Sequence, residues 1–294
     1  MNIGYFADGP WSHRALEMLL TENTIKIAFV CARYDRQDPI LKRKVNHAGI
    51  PFLVHRDINS QDFMAQIKQY ACDLFVSMSF NQIFRKKMIE TPPLGTINCH
   101  AGKLPFYRGR NILNWALIND EKEFGITVHY VDEGIDTGDI IKQQCFSITD
   151  KDDYSTLLER AYQGCADLLV QTIQDLLEGV AQRTPQNDIH PLGFYCSARG
   201  PGDERLDWNQ SSRRVFNFVR AIHPPGPSAR CYLGKDEVKI NKVELLPDAP
   251  SYIGVPGAVL EKNEQTFLVK TLDTFVRVLD WEADKNIKVG DRLK

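Results

Sequence analysis

An asparagine and a histidine stand two residues apart at the end of an apolar run, in the segment GTINCH (95–100). Side chains two apart on a β-strand lie on the same face, so Asn98 and His100 point one way and Cys99 points the other. An amide and an imidazole placed side by side can donate hydrogen bonds to one oxygen that becomes negatively charged. The simpler alternative is that both side chains only satisfy backbone groups of the loop that follows.

Four carboxylates follow within eight residues, in the segment DEGIDTGD (132–139). One of them, buried against His100, would orient the imidazole and favour its protonated form. Spacing alone does not select among the four. An acidic turn of this kind is otherwise simply solvated, or forms a weak cation site.

The elements that must position these groups alternate in type along the first part of the chain. Apolar runs predict strands and amphipathic spacing predicts helices, with Ser60 as a helix N-cap. The strands are predicted at Asn2–Ala7, Lys26–Ala32, Pro51–His55, Cys72–Met78 and Gly95–His100, and the helices at Trp11–Glu22, Pro39–Ala48 and Ser60–Tyr70. This rhythm predicts an α/β fold with a mostly parallel, Rossmann-like sheet and helices on both faces. Ligands of such sheets bind beyond the carboxyl ends of the strands.

The remaining chain changes character after a long amphipathic helix. Further elements are predicted as a helix at Asn111–Asn119, strands at Gly125–Val131 and Asp139–Ile148, a helix at Asp153–Glu178 stopped by Gly179, and a helix at Ser211–His223. Short strand candidates separated by turn signals then predict a smaller, β-rich, barrel-like domain. We therefore expect a catalytic domain over 1–180, a linker over 181–206 and a C-terminal domain over 207–294.

Composition excludes several classes of protein. The 36 Lys and Arg against 38 Asp and Glu give a formal net charge of −2, which disfavours a dedicated nucleic-acid binder. The seven cysteines form no CxxC pair, so neither a disulfide framework nor a zinc site is expected. Free thiols predict a reducing cytoplasm as the location. No signal peptide and no membrane span are visible. Glycine-rich nucleotide fingerprints, HExxH and GxSxG are absent as well.

The stretch Gly95–Ile141 resembles the signature of the N10-formyltetrahydrofolate-dependent formyltransferases. The matching residues are Asn-x-His, then Leu-Pro and Tyr-Arg-Gly, then Asp-x-Gly-x-Asp-Thr-Gly. The resemblance implies a catalytic set of Asn98, His100 and Asp136 and transfer of a formyl group to an amine without a metal. Asn98 and His100 would stabilise the developing oxyanion, and Asp136 would hold His100 and tune its protonation.

The same resemblance implies where the cofactor, N10-formyltetrahydrofolate, binds. One wall of the pterin site is the segment MSFNQIF (78–84), and the other is the start of the acidic loop. The implied cofactor-binding residues are Phe80, Asn81, Gln82, Ile83, Phe84, Val131, Asp132, Glu133, Gly134 and Ile135. The alternative for 78–84 is an ordinary connection between a strand and a helix.

Within that superfamily, the loop His-Ala-Gly-Lys-Leu-Pro is more similar to bacterial nucleotide-sugar N-formyltransferases than to the tRNA or purine branches. This similarity implies substrate contacts from Lys103, Tyr107 and Arg110 on the acceptor side, and from Arg199, Asp203 and Arg220 near the nucleotide-sugar. Lys103 and Arg110 could equally be surface cations, and Arg220 a salt-bridged helix residue.

The acceptor that the resemblance favours is dTDP-4-amino-4,6-dideoxy-D-glucose, used in O-antigen synthesis. Residues 180–294 hold 17 Lys and Arg against 15 Asp and Glu, a net charge of +2 that is small for a tRNA-binding lobe. Methionyl-tRNA formyltransferase, formyltetrahydrofolate hydrolase and a catalytically silent binding module stay open as alternatives. We expect a cytoplasmic homodimer that binds neither nucleic acid nor membrane.

Overall fold

The computed structural model describes all 294 residues and divides them into two compact units. The first unit comprises Met1–Gly109, Phe124–Phe146 and Glu159–Cys196, and the second comprises Arg110–Glu123, Ser147–Leu158 and Ser197–Lys294. Both units are discontinuous and alternate along the chain. The predicted continuous boundaries at 180 and 206 therefore stay a prediction.

Fourteen strands are numbered in chain order. They are β1 (Asn2–Ala7), β2 (Lys26–Ala32), β3 (Phe52–Val54), β4 (Leu74–Met78), β5 (Thr96–His100), β6 (Arg108–Gly109), β7 (Glu123–Tyr130), β8 (Ile140–Ser147), β9 (Tyr195–Cys196), β10 (Ala229–Leu233), β11 (Asp236–Leu245), β12 (Val259–Lys262), β13 (Phe267–Lys270) and β14 (Phe275–Ala283). Seven of them form one sheet in the order β3-β2-β1-β4-β5-β7-β8. The pairs from β3 to β5 are parallel, whereas β5 and β7 are antiparallel. The predicted mostly parallel sheet is confirmed.

Eight helices accompany the strands. They are α1 (Pro10–Thr21), α2 (Pro39–His47), α3 (Gln61–Lys68), α4 (Lys86–Ile89), α5 (Ile112–Ile118), α6 (Tyr154–Glu178), α7 (Gln186–Ile189) and α8 (Ser212–Ala221). Gly179, at φ +71°, directly follows α6, which confirms its predicted role as the stop. Ser60 is the N-cap residue of α3, as predicted, although its side chain makes no capping hydrogen bond. None of these helices is both long enough and apolar enough to cross a bilayer.

An aromatic cluster around Phe6 of β1 lies in the core of the first unit. The Phe6 ring meets Phe29, Phe75 and Phe84 edge to face, with centroids 5.5, 5.2 and 5.0 Å away. All four rings are buried, and each such pair adds about 0.5–1.5 kcal/mol beyond the area that it buries. The loop that begins after β4 is therefore fixed to the sheet through Phe84.

The five-stranded antiparallel sheet of the second unit has the order β10-β11-β14-β13-β12. Its two edge strands are joined by the last residues of the chain. The backbones of Tyr232 and Lys294 exchange hydrogen bonds of 2.8 and 2.9 Å on one side, and the Leu293 N–H donates to the Gly257 oxygen at 2.8 Å on the other. These bonds link the two edges through the end of the chain, and the predicted smaller β-rich, barrel-like domain is confirmed.

Candidate active site

Strand β5 presents its polar residues on one face of the sheet. Asn98 and His100 lie on that face, whereas the Cys99 Sγ lies 3.5 Å from the Cys165 oxygen of α6, on the other face. This separation is the one that alternation along a strand predicts. Cys99 is therefore turned away from the candidate site.

A second histidine, His129, completes the polar face. Because β5 and β7 run antiparallel, His129 stands directly opposite Asn98 in the ladder. Their side chains meet at 3.2 Å between Asn98 Nδ2 and His129 Nε2, and His129 is 2% exposed. His129 was not among the residues predicted from the sequence. The available signal was the alternation in GITVHYV, in which Thr127 and His129 interrupt an otherwise apolar strand.

The carboxylate of Asp136 lies between the two imidazoles. Its Oδ2 is 3.6 Å from His100 Nδ1 and its Oδ1 is 3.5 Å from His129 Nε2. Oδ2 also accepts a hydrogen bond from the Gly109 N–H at 2.9 Å. Burial raises the pKa of the Asp136 carboxyl, but the two histidines and the Gly109 N–H outweigh it and hold the pKa well below its ordinary value. Asp136 is therefore an anion at neutral pH.

The other three acids of the loop have different surroundings. Asp132 accepts from the Gly134 N–H at 3.0 Å and from the Thr137 hydroxyl at 2.6 Å, so it stabilises the turn itself. Asp139 accepts from Arg183 Nε at 2.6 Å, and Glu133 is exposed. The structure thus separates Asp136 from its neighbours, which spacing in the sequence could not do.

The His100 ring has an oxygen beside each of its nitrogens. Nε2 lies 2.7 Å from the Tyr107 backbone oxygen, and Nδ1 faces Asp136. This close approach requires Gly102, because a Cβ there would lie 2.4 Å from both His100 Nε2 and the Tyr107 oxygen. The loop after β5 thereby fixes the plane of the ring.

The residues predicted to bind the cofactor combine apolar side chains with the exposed polar residues Asn81, Asp132 and Glu133. Phe80 and Val131 pack on the core cluster that includes Phe84, and Ile83 and Ile135 are 60% and 53% exposed. The backbone N–H groups of residues 82 and 84 donate no hydrogen bond within the chain. A flat ring with a polar edge fits such a surface, since large exposed apolar side chains and unpaired backbone groups both favour a ligand. The Gln82 side chain is itself engaged, with its amide bonded to the Ile58 N–H and the His55 oxygen.

The residues predicted to bind the acceptor fall in both units. In the first unit, Tyr107 is buried and Lys103 is half-buried. In the second, Arg110 and Asp203 are exposed, and the half-buried Arg199 lies over the Trp115 ring at 5.4 Å. Their roles stay predictions.

Arg220, also predicted to lie near the nucleotide-sugar, is 6% exposed in the second unit. Its guanidinium donates to the Thr149 oxygen at 2.7 Å and to Asn217 Oδ1 at 3.0 Å, so it already has internal partners. A cavity of about 680 Å³ lies in the same unit and includes Arg205, Arg213 and Arg214 in its lining. None of the predicted substrate residues lines that cavity. No group of three or more His, Cys, Asp or Glu side chains is arranged to hold a metal ion.

Two family models match the chain. The model described as formyl transferase matches residues 5–173, and the model described as formyl transferase, C-terminal domain matches residues 200–291. Among curated proteins, a methionyl-tRNA formyltransferase of Thermodesulfovibrio yellowstonii is 33% identical over 244 residues, which cover 83% of this chain and 76% of that protein.

Solved structures with a similar fold include two N-formyltransferases that were solved with dTDP or dTDP-3-aminofucose. An N-formyltransferase from Helicobacter canadensis, in complex with folinic acid and dTDP-3-aminofucose, gives a TM-score of 0.71 at 20% identity and covers 96% of this chain and 99% of its own. The sugar 3N-formyltransferase WlaRD, in the presence of dTDP and 5-N-formyl-THF, gives a TM-score of 0.69 at 20% identity, over 98% and 99%. At this identity the similarity establishes the fold.

Proposed function

Because this chain belongs to the formyltransferase family and is an N-formyltransferase with a folate-derived formyl donor, we propose that its acceptor is a dTDP-linked amino sugar. The donor is N10-formyltetrahydrofolate, and the acceptor is dTDP-4-amino-4,6-dideoxy-D-glucose for O-antigen synthesis. The cytoplasmic location and the homodimer stay predictions.

The observation that carries the choice of acceptor is the small net charge of the C-terminal part, where residues 180–294 hold 17 Lys and Arg against 15 Asp and Glu. In addition, six of the arginine and lysine side chains of the second unit lie beside a carboxylate. The pairs are Arg213–Asp150, Arg220–Asp120, Arg230–Glu237, Lys239–Glu282, Arg277–Glu244 and Lys285–Asp236. A surface that binds tRNA needs unpaired cations along the phosphate backbone. A small nucleotide-sugar needs only a few local ones, so the small net charge favours it.

Asn98 and His100 stabilise the charge that develops on the formyl oxygen. The bound donor supplies the activated formyl group, held by the backbone and apolar side chains of 80–84 and 131–135. One N–H of the Asn98 amide lies on His129, which leaves the second for the oxyanion. His100, when protonated, carries a positive charge on the same face of β5. Loss of one such donor typically lowers kcat by about 10²–10³.

Asp136 is the group that accepts a proton in the proposed reaction. As an anion it can accept the proton that the attacking amine loses, directly or through a water, and N10 of the departing tetrahydrofolate takes up a proton. His129 Nε2 lies 3.5 Å from the second carboxylate oxygen, so both imidazoles flank the carboxylate.

A panel of acceptors tests the proposal. Purified protein and N10-formyltetrahydrofolate are incubated with dTDP-4-amino-4,6-dideoxyglucose, its 3-amino isomer, a UDP-amino sugar, methionyl-tRNA, or no acceptor. We expect formylation of the dTDP-4-amino sugar, with a kcat/KM that falls only modestly between 50 and 200 mM salt. Faster formylation of the 3-amino isomer would overturn the 4-amino assignment. Formylation of methionyl-tRNA alone would overturn the sugar proposal.

Methionyl-tRNA formyltransferase is the second candidate, and the curated relatives favour it. The protein from Thermodesulfovibrio yellowstonii carries that name. A tRNA acceptor predicts a steep loss of kcat/KM with salt, because each phosphate contact releases a counterion. Formate release without an acceptor would instead indicate a hydrolase.

A further inference from the structure

The side chain of Gln186, the first residue of α7, uses every hydrogen-bonding position that it has. It is 3% exposed, and its Nε2 donates to the backbone oxygens of Asp136 and Gly138, both at 2.8 Å. Its Oε1 accepts from Nε and Nη2 of Arg108 at 3.1 and 2.6 Å. Both N–H bonds and both lone pairs of the amide are occupied. The orientation of Gln186 is therefore fixed.

The residue that Gln186 holds has an unusual backbone. Asp136 lies at φ +54°, in the left-handed region that residues with a Cβ adopt uncommonly. Gln186 bonds its backbone oxygen, and the Gly109 N–H bonds its carboxylate at 2.9 Å. Asp136 is thus held at both its backbone and its side chain.

Both restraints on Asp136 depend on the two-stranded sheet formed by β6 and β9. Arg108 and Gly109 form β6, which pairs with Tyr195 and Cys196 of β9. The Arg108 guanidinium also lies over the Tyr195 ring, 5.6 Å from its centroid. Gly109, at φ +95°, allows the strands to approach, since a Cβ there would lie 2.5 Å from the Cys196 oxygen. The anchor of Gln186 is therefore rigid.

We infer that Gln186 is a positioning residue for Asp136. The closed ring of hydrogen bonds through Arg108 keeps the Asp136 backbone in its left-handed conformation. In that conformation the carboxylate reaches His100 and His129 at the same time. Gln186 contacts neither imidazole, so its effect on the reaction passes through Asp136. The inference rests on the role proposed above for Asp136.

A double-mutant cycle with Gln186→Met and Asp136→Asn tests the inference. Methionine keeps the length of the side chain and removes its hydrogen bonds. We expect Gln186→Met to lower kcat by about 10–100-fold, because a small misplacement of a catalytic group has effects of that size. KM for the formyl donor should stay within about 2-fold. In the Asp136→Asn background, the same change should lower kcat by less than about 2-fold.

Two further variants separate positioning from general stability. Thr172→Val removes a buried side-chain hydrogen bond of the same unit, which the Thr172 hydroxyl donates to the Leu168 oxygen at 2.7 Å within α6. It should lower the melting temperature while leaving kcat within about 2-fold. Arg108→Lys allows the Gln186 amide to rotate, and it should lower kcat by about 3–10-fold. This variant tests the same ring of hydrogen bonds if Gln186→Met does not fold.

Three results overturn the inference: an unchanged kcat in Gln186→Met, an unchanged kcat in Arg108→Lys, or an equal loss with and without Asp136. These results are distinct from failure of the proposed function. Activity retained by Asp136→Asn alone would remove the proposed role of Asp136. A wild-type protein active only on methionyl-tRNA would change the acceptor, and the cycle would then be run with methionyl-tRNA.

Discussion

Asp136 of the first unit and Asp273 of the second unit both have a carboxyl pKa that is lowered against the effect of burial, but the two carboxylates have different partners. Asp273 of the second unit accepts four hydrogen bonds on one oxygen. They come from the Ser212 and Thr274 N–H groups at 2.8 Å and from the Ser212 and Thr271 hydroxyls at 3.0 and 3.1 Å. These donors lower the pKa of Asp273 to about 2. Asp136 of the first unit instead lies between two imidazoles at 3.5–3.6 Å.

The difference shows that a perturbed pKa does not by itself identify a catalytic group. Both acids stay ionised at neutral pH, so their charge state is the same. Backbone N–H groups and hydroxyls do not ionise near neutral pH, whereas the imidazole side chain is of a type that gains and loses a proton there. Asp273 can only stabilise the fold, while Asp136 has partners suited to proton transfer. Substitution of each carboxylate should therefore change a different quantity.

The largest expected effect is on catalysis. Asp136→Asn keeps an oxygen for the Gly109 N–H and removes the charge beside His100. We expect kcat to fall by about 10³-fold, the middle of the range for a lost acid–base group. Because the pKa of Asp136 is well below its ordinary range, the carboxylate of the wild type stays ionised throughout pH 6 to pH 9, and the loss should be present across that range. Steady-state rates across that range provide the measurement.

Asp139→Asn is the matched control for that experiment. Asp139 belongs to the same loop but contacts Arg183, at 2.6 Å, and no histidine. Its kcat should stay within about 2-fold of the wild type. If Asp136→Asn retained activity comparable to that of Asp139→Asn, Asp136 would have no catalytic role that distinguishes it from Asp273.

The sequence predicts helices and strands well where they are long enough for the spacing of hydrophobic residues to repeat. The apolar runs of β1, β2 and β4 and the long amphipathic helix α6 were all predicted close to their observed bounds. The elements α4, α7, β6 and β9 were not predicted, because they span only two to four residues. No hydrophobic period can be recognised over such a length. The two that matter most, β6 and α7, supply Gly109 and Gln186.

The site was only partly predictable for a different reason. The spacing of Asn98 and His100 places them on one face, and the resemblance to formyltransferases selects Asp136 among four acids. His129 depends on the antiparallel direction of β7 and its register with β5, which no local pattern specifies. Gln186 lies 50 residues beyond Asp136 and reaches it through a backbone oxygen. Such contacts leave no signature in residue type or spacing.

The next effect is on stability and its dependence on pH. Asp273→Asn keeps an acceptor oxygen and removes its charge, so each hydrogen bond loses its charge assistance. We expect the free energy of unfolding to fall by about 1–2 kcal/mol at pH 7, with kcat unchanged. The folded pKa of Asp273 is about 2, below the ordinary value of 3.8. Its contribution is therefore complete above pH about 4 and disappears as the pH falls towards about 2.

Urea unfolding of both proteins at pH 7, 4 and 3 measures this dependence. The difference between them should persist at pH 7 and shrink between pH 4 and pH 3. Asp284→Asn, at an exposed position of the same unit, should change stability by less than about 0.5 kcal/mol at every pH. A difference that stayed constant down to pH 3 would mean that Asp273 stabilises the fold through shape and not through its charge.

The smallest expected effect removes a single donor from Asp273. Thr271 is fully buried, and its hydroxyl contacts both Asp273 Oδ1 at 3.1 Å and Ser212 Oγ at 2.7 Å. Thr271→Val keeps the branched shape, so the free energy of unfolding should fall by about 0.5–1.5 kcal/mol, the net value of one hydrogen bond. The loss should be smaller in the Asp273→Asn background, because a neutral acceptor is bonded less strongly. Unfolding in urea measures both values. A change in kcat without a change in the free energy of unfolding would contradict the comparison of Asp136 with Asp273. It would show that Asp273 and its fixed donors act in catalysis.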